Sequence, residues 1–152
     1  MKVFEFRLQT KLDLTCRQED IAKAETYAKQ RVFDFECEVL DSLHSSQMEL
    51  FNILRSQKGG FKIDELVLYK DFQKVLRDKI VQQKETVLRA EELLEEARMV
   101  LMEIMKERKT LERLREKEYQ SYLEEFMRIE QKIIDEAAVS RYWHLHNGAK
   151  HA

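Results

Sequence analysis

The chain has no proline and only three glycines among its 152 residues. These two residue types supply the fixed and the left-handed backbone angles that tight turns need, so a compact, turn-rich domain is excluded. A run of about 18 apolar residues, enough to span a bilayer, is also missing, and the opening MKVFEFRLQTKLDL is too broken by charge for a signal peptide. The expected location is therefore the cytosol. Basic residues are not in excess: the formal net charge is -2 and the pI about 6.1. A nucleic-acid backbone is an unsuitable partner for such a chain. Cysteine is scarce too. Cys16 and Cys37 lie about six helical turns apart, roughly 31 Å on one straight helix, too far to bond to each other. They read as free thiols of a reducing compartment.

What is present is charge and helical periodicity. Charged residues make up 37% of the chain and hydrophobic ones 43%, a balance typical of long helices and coiled coils. After Phe4, Phe6 and Leu8, whose alternation suggests an extended or irregular lead-in, a first helix is expected from about residue 10 to 57. Its apolar stripe reads as Ile21, Ala24, Ala28, Val32, Phe35, Val39, Leu43, Leu50 and Leu54, in steps that are mostly three and four. Gly59 and Gly60 then provide the left-handed angles that end a helix and turn the chain, in a loop of about residues 58 to 63. Asp64 follows, either as an N-cap or in the first turn of the next helix.

The second helix is expected from about residue 64 to 141, some 75 residues or roughly 110 Å. Leu66, Gln73, Ile80, Val87, Leu94 and Leu101 recur every seven residues. Tyr69, Leu76, Gln83, Ala90, Ala97, Ile104 and Leu111 occupy the companion position. A flexible polar tail, about residues 142 to 152, would follow.

Two helices joined by a short loop fold back antiparallel, which here pairs residue i with a residue near about 120 minus i. Asp34, Glu36, Glu38, Asp41 and Glu49 would then stand beside Lys70, Lys74, Arg77, Lys79 and Lys84. The fold class is therefore all-α: a long two-helix antiparallel coiled-coil hairpin forming one unit, with an overhanging C-terminal helix. Beyond about Tyr122 the second helix has no counterpart, yet its stripe persists at Tyr122, Phe126, Ile129, Ile133 and Ala137. Either Phe4 and Phe6 fold onto part of it or a partner does.

Two surfaces stand out. At 100° per residue, Leu68, Phe72 and Val75 lie within roughly 60° of one another, and the seam of Leu66, Tyr69, Gln73 and Ile80 centres about 120° away. Leu76 bridges the two. This second stripe either widens the core at the hairpin tip or receives another protein. Between Glu103 and Glu118 the repeat slips, with Arg108 and Arg115 at core positions and eleven of sixteen residues charged. That segment is a solvated face, or it brings Arg108, Arg113 and Arg115 to acidic patches of a partner.

Sequence motifs for chemistry are lacking. There is no phosphate loop, nucleophile elbow or metal-ligand pair at helical spacing. His144, His146 and His151 sit in the tail, where a flexible polar segment explains them better than a metal site. Neither an enzyme nor a cofactor, metal or small-molecule substrate is expected.

The lead-in FEFRLQTKLDL, the hairpin length, the segment ERKTLERLREKEYQSYLEEFMRIEQKIIDEAA and the terminal SRY together resemble the flagellar export protein FliJ family over roughly residues 4–142. The resemblance implies a cytoplasmic antiparallel coiled coil of the flagellar type III export apparatus, similar to the stalk of the rotary ATP synthase gamma subunit. It implies protein partners: the export ATPase FliI, its regulator FliH, the export gate FlhA and export chaperones. It also implies peripheral association with the inner face of the cell membrane and a monomeric hairpin. Gate binding in the family uses a Tyr, two residues, Phe, three residues, Leu pattern, which Tyr69, Phe72 and Leu76 meet here. Tyr122, Phe126, Ile129, Ile133 and the three arginines would serve the ATPase or another partner. An injectisome stalk protein and a self-associating structural coiled coil are the alternatives.

Overall fold

A computed structural model describes residues 3–57 and 59–148 of the chain. It is an all-α helical hairpin, with α1 at Gln9–Ser56 (48 residues) and α2 at Ile63–Gly148 (86 residues). The lead-in is not helical, as its alternation predicts, and the amide of Gln9 donates to the Phe6 carbonyl at 3.0 Å where α1 begins. Gly60 has φ 76°, in the left-handed region that favours glycine. Space is open around its Cα, so a side chain there is opposed by backbone strain alone. Gly60→Ala is expected to lower stability by about 1–2 kcal/mol, read from chemical denaturation, with helical content unchanged. Asp64 stands in the first turn of α2 beside Glu65, where both carboxylates face the positive end of the helix dipole.

The α2 seam is the one its heptads predict. Leu76, Ile80, Ala90, Leu94 and Leu111 are buried, and Tyr69, Gln73, Gln83, Val87, Ala97, Leu101 and Ile104 are half-buried. Leu66, the first of the series, is more exposed than the rest.

The α1 seam meets expectation at Leu43, Leu50 and Leu54, with Val39 half-buried, and differs from it over the first half of the helix. Ile21, Ala24, Ala28, Val32 and Phe35 are exposed. The seam runs instead through Leu12, Thr15, Glu19, Ala22, Thr26, Phe33, Glu36, Leu40, Leu43, Gln47, Leu50 and Leu54, all buried or half-buried. These positions also repeat every seven residues, but polar side chains hold several of them. Thr15, Glu19, Thr26 and Glu36 can be buried there because they are bonded. Thr15 Oγ1 donates to the Lys11 carbonyl at 2.8 Å, and Thr26 Oγ1 donates to the Ala22 carbonyl at 2.8 Å and to the Ala97 carbonyl of α2 at 3.3 Å. Glu19 pairs with Lys23 Nζ at 2.7 Å.

The chain forms two compact units, Met1–Cys16 with Lys106–Ala152, and Arg17–Met105. In the first, Phe6, Leu12 and Leu111 make a small buried cluster, with Phe4, Leu8 and Cys16 packed against it. Lys11 Nζ lies 3.3 Å from Glu107 Oε1. In the second, Gln83 Nε2 donates to the Glu36 carbonyl at 2.9 Å and its carboxylate at 2.6 Å, and Arg98 Nη2 donates to Gln30 Oε1 at 2.8 Å. Thr26 with Ala97, Glu36 with Gln83 and Lys11 with Glu107 all follow the antiparallel pairing rule. The charge match between Asp34–Glu49 and Lys70–Lys84 is a different matter. Among the described residues no ion pair joins those two groups. Long exposed side chains lose rotamer freedom for little gain in water, so they stay solvated while Gln83 takes Glu36.

The second helix also continues past the expected end at residue 141, through Tyr142, Trp143, His144, Leu145 and His146 to Gly148. The expected flexible tail is therefore helix as far as Gly148; residues 149–152, with His151, lie outside the described residues.

Candidate partner-binding surfaces

The tip stripe is open. Leu68 is 70% exposed, Phe72 50% and Val75 48%, whereas Leu76, which bridges stripe and seam, is 4% exposed. Leu76 thus supports the stripe from the seam and does not present its side chain to a partner. Tyr69 is half-buried, its ring edge-on to Phe61 at 5.3 Å. That Phe61 contact escaped the sequence reading because Phe61 sits in the loop, where helical spacing carries no information. Ile63 and Val67 add further exposed apolar surface in the same turns of α2.

The charged segment of α2 is divided by burial. Arg108 is half-buried at a seam position, and its Nη1 donates to both carboxylate oxygens of Glu112, at 2.7 and 2.8 Å. It braces its own helix. Arg113 and Arg115 are exposed. Arg115 stands with Phe4, Glu112, Glu116 and Tyr119 around an open hollow of about 520 Å³, and with Phe4, Glu5, Phe6 and Gln9 around a second one.

The lead-in covers only the start of the late stripe. Phe4 lies edge-on to Tyr119 at 5.2 Å and tilted against Tyr122 at 5.6 Å. Tyr122 and Leu123 are half-buried, and every residue from Glu124 to Asn147 is exposed. Phe126, Ile129 and Ile133 therefore form an uncovered stripe. Ile134, Val139, Tyr142, Trp143 and Leu145 are exposed as well, on more than one side of the helix. The ring of His146 stacks on Tyr142 at 4.0 Å.

Groups suited to chemistry are sparse. Among the described residues no cluster of three or more His, Cys, Asp and Glu is placed to hold a metal ion, and no helix is long and apolar enough to cross a membrane. Cys16 and Cys37 are both free thiols. Desolvation pushes the Cys37 thiol above its ordinary value, helped by the carboxylates of Asp41, Asp34 and Glu91, which opposes thiolate chemistry there.

A family model for the flagellar FliJ protein matches residues 4–146. The chain belongs to the FliJ family. That membership places it among the stalk or chaperone proteins of type III export, whose partners are proteins of the export apparatus. A solved structure of a YscO homolog, CT670 from Chlamydia trachomatis, is similar to it, with 26% identity, a TM-score of 0.60, and coverage of 97% of this chain and 98% of that one. No curated protein matches the chain.

Proposed function

We propose that this FliJ-family chain is a non-enzymatic part of the flagellar export apparatus, a stalk and chaperone protein that links the export ATPase complex to the export gate. The observation that carries this reading is the pairing of Phe72, half exposed, with Leu76, buried directly beside it. A side chain of that size left in water beside a packed seam costs nothing in folding if removed and has much to gain from a partner. The gate takes Leu68, Phe72 and Val75, and Tyr69 and Leu76 hold them in place. The exposed end of α2, apolar on several sides, suits a socket that surrounds a helix, as an ATPase ring with FliI and FliH would provide. The chain then works in the cytoplasm at the inner face of the membrane, and hydrolysis belongs to its partner.

Phe72→Asp tests the reading. The variant should keep its helical circular dichroism and its unfolding midpoint while losing capture of the gate protein FlhA by at least about tenfold, the effect of burying a charge in place of an interface aromatic. Full-strength capture would sink the assignment. The similarity to the YscO homolog favours a second reading, in which the same hairpin serves an injectisome. Capture by an injectisome gate in preference to the flagellar one would select it.

A further inference from the structure

Within the unit Arg17–Met105, α1 carries two stripes with the same seven-residue repeat, one residue apart. The seam stripe runs through Glu19, Ala22, Thr26, Lys29, Phe33 and Glu36, and all but Lys29 are buried or half-buried. The stripe one residue earlier runs through Gln18, Ile21, Glu25, Ala28, Val32 and Phe35, all of them exposed. Two of the six seam residues are apolar, against four of the six outside. Yet the α2 seam that α1 meets here, Val87, Ala90, Leu94, Ala97 and Leu101, is apolar throughout. The more polar stripe of α1 is packed on an apolar helix while the more apolar stripe faces water, a local conflict between pattern and packing.

Toward the tip the conflict vanishes. Leu43 and Leu50 lie in the seam, and the positions one residue earlier are Ser42 and Glu49. The tip half of α1 therefore fixes one rotational setting, and the middle favours another by its own pattern. A helix advances about 100° per residue, so exchanging the stripes means turning the middle by about that angle. No break in the helix is needed. The steps from Phe35 through Val39 and Leu43 to Gln47 are four, four and four, and those from Thr15 through Gln18 to Ile21 are three and three. A coiled coil absorbs such steps by unwinding locally at one end and overwinding at the other. Val39 and Leu40, both half-buried, stand where the two stripes merge.

The exchange is close to balance. Phe35 takes the place of Phe33, and Ile21 and Val32 leave water. What is lost are the bonds that hold the present setting: Thr26 to the Ala97 carbonyl, Gln83 to Glu36, and Arg98 to Gln30. Thr26 and Glu36, turned outward, recover water as their partner. We propose that residues 17–39 of α1 form a rotational switch with two settings. In the present one Ile21, Val32 and Phe35 face solvent; in the other they enter the seam, and Thr26, Phe33 and Glu36 come to the surface. The hairpin can thus present or hide an apolar stripe without unfolding and without moving its tip. The switch does not depend on the export reading above.

Fluorine NMR of the full chain, with 4-fluorophenylalanine at position 35 alone, tests it. Two resonances are expected, a major one that a soluble gadolinium chelate broadens and a minor one that it spares. Gln83→Leu and Thr26→Ala each remove a bond that only the present setting makes, and each should raise the minor share about fivefold, the effect of one ordinary hydrogen bond. Val32→Gln makes the second setting polar at an exposed site, so it should remove the minor resonance and leave the helical signal unchanged. A single, fully broadened resonance in the chain and in both bond-removing variants would overturn the proposal. So would a minor resonance that survives Val32→Gln, or one whose share grows with protein concentration, the mark of association between copies instead of rotation. None of these outcomes touches the Phe72→Asp capture experiment.

Discussion

Leu94→Ala should destabilise the hairpin by about 2–5 kcal/mol, seen as a lower midpoint of urea or thermal unfolding. Leu94 is only 2% exposed, the least exposed of the buried hydrophobic side chains among the described residues. Its seven-residue neighbours Val87 and Leu101 and its companions Ala90 and Ala97 leave no loose side chain to fill the space, and a two-helix seam has few layers to share the loss. Phe72→Ala removes a larger side chain on the same helix and should change the midpoint by less than about 0.5 kcal/mol. The pair of variants separates the two uses of apolar surface on α2. If both cost the same, the division between seam and partner face would be wrong.

The same division explains what was legible in the sequence. On α2 the seam carries Leu, Ile, Val and Ala at nearly every heptad position, so hydrophobicity and burial coincide and the reading succeeds from Tyr69 to Leu111. On α1 they part. Thr15, Glu19, Thr26 and Glu36 occupy seam positions because hydrogen bonds or an ion pair satisfy them. Meanwhile Ile21, Val32 and Phe35 repeat with helical spacing on the outside. A search for apolar periodicity selects the outer stripe, since polar residues that are buried and bonded look like solvent-facing ones until their partners are known. Burial of the phenylalanines in the lead-in has a similar origin: alternation at Phe4 and Phe6 shows that they are not helical, but their docking on Tyr119 and Leu111 depends on residues far away in sequence.

The far end of α2 shows the reverse case, a helix without a seam. Periodicity fades near Ser140, but a helix ends where its backbone is stopped, and Tyr142 to His146 contain nothing that stops it. The loss of an apolar stripe marks the loss of packing, not of helix. The same argument fixes which residues of the tip can meet a partner: Tyr69, Phe72 and Leu76 satisfy one motif in the sequence, yet burial leaves Phe72 alone of the three with its side chain largely free.

Ending the chain after Leu123 should abolish capture by the export ATPase while leaving the unfolding midpoint of the hairpin within about 0.5 kcal/mol of the full chain. The cut falls there because Tyr122 is the last aromatic that Phe4 touches, and Tyr122 and Leu123 are the last half-buried residues of α2. Every residue from Glu124 to Asn147 is exposed, so that stretch takes no buried surface with it. What goes is the whole uncovered apolar series, Phe126, Ile129, Ile133 and the aromatic cluster at Tyr142 and Trp143. An α-helix of that length with no tertiary contact is marginal by itself in water, and binding inside a partner would supply the burial that its own chain does not. Full-strength capture by the shortened chain would place the ATPase contact elsewhere, with exposed Arg113, and exposed Arg115 beside Phe4, the next residues to test by Arg→Glu substitution.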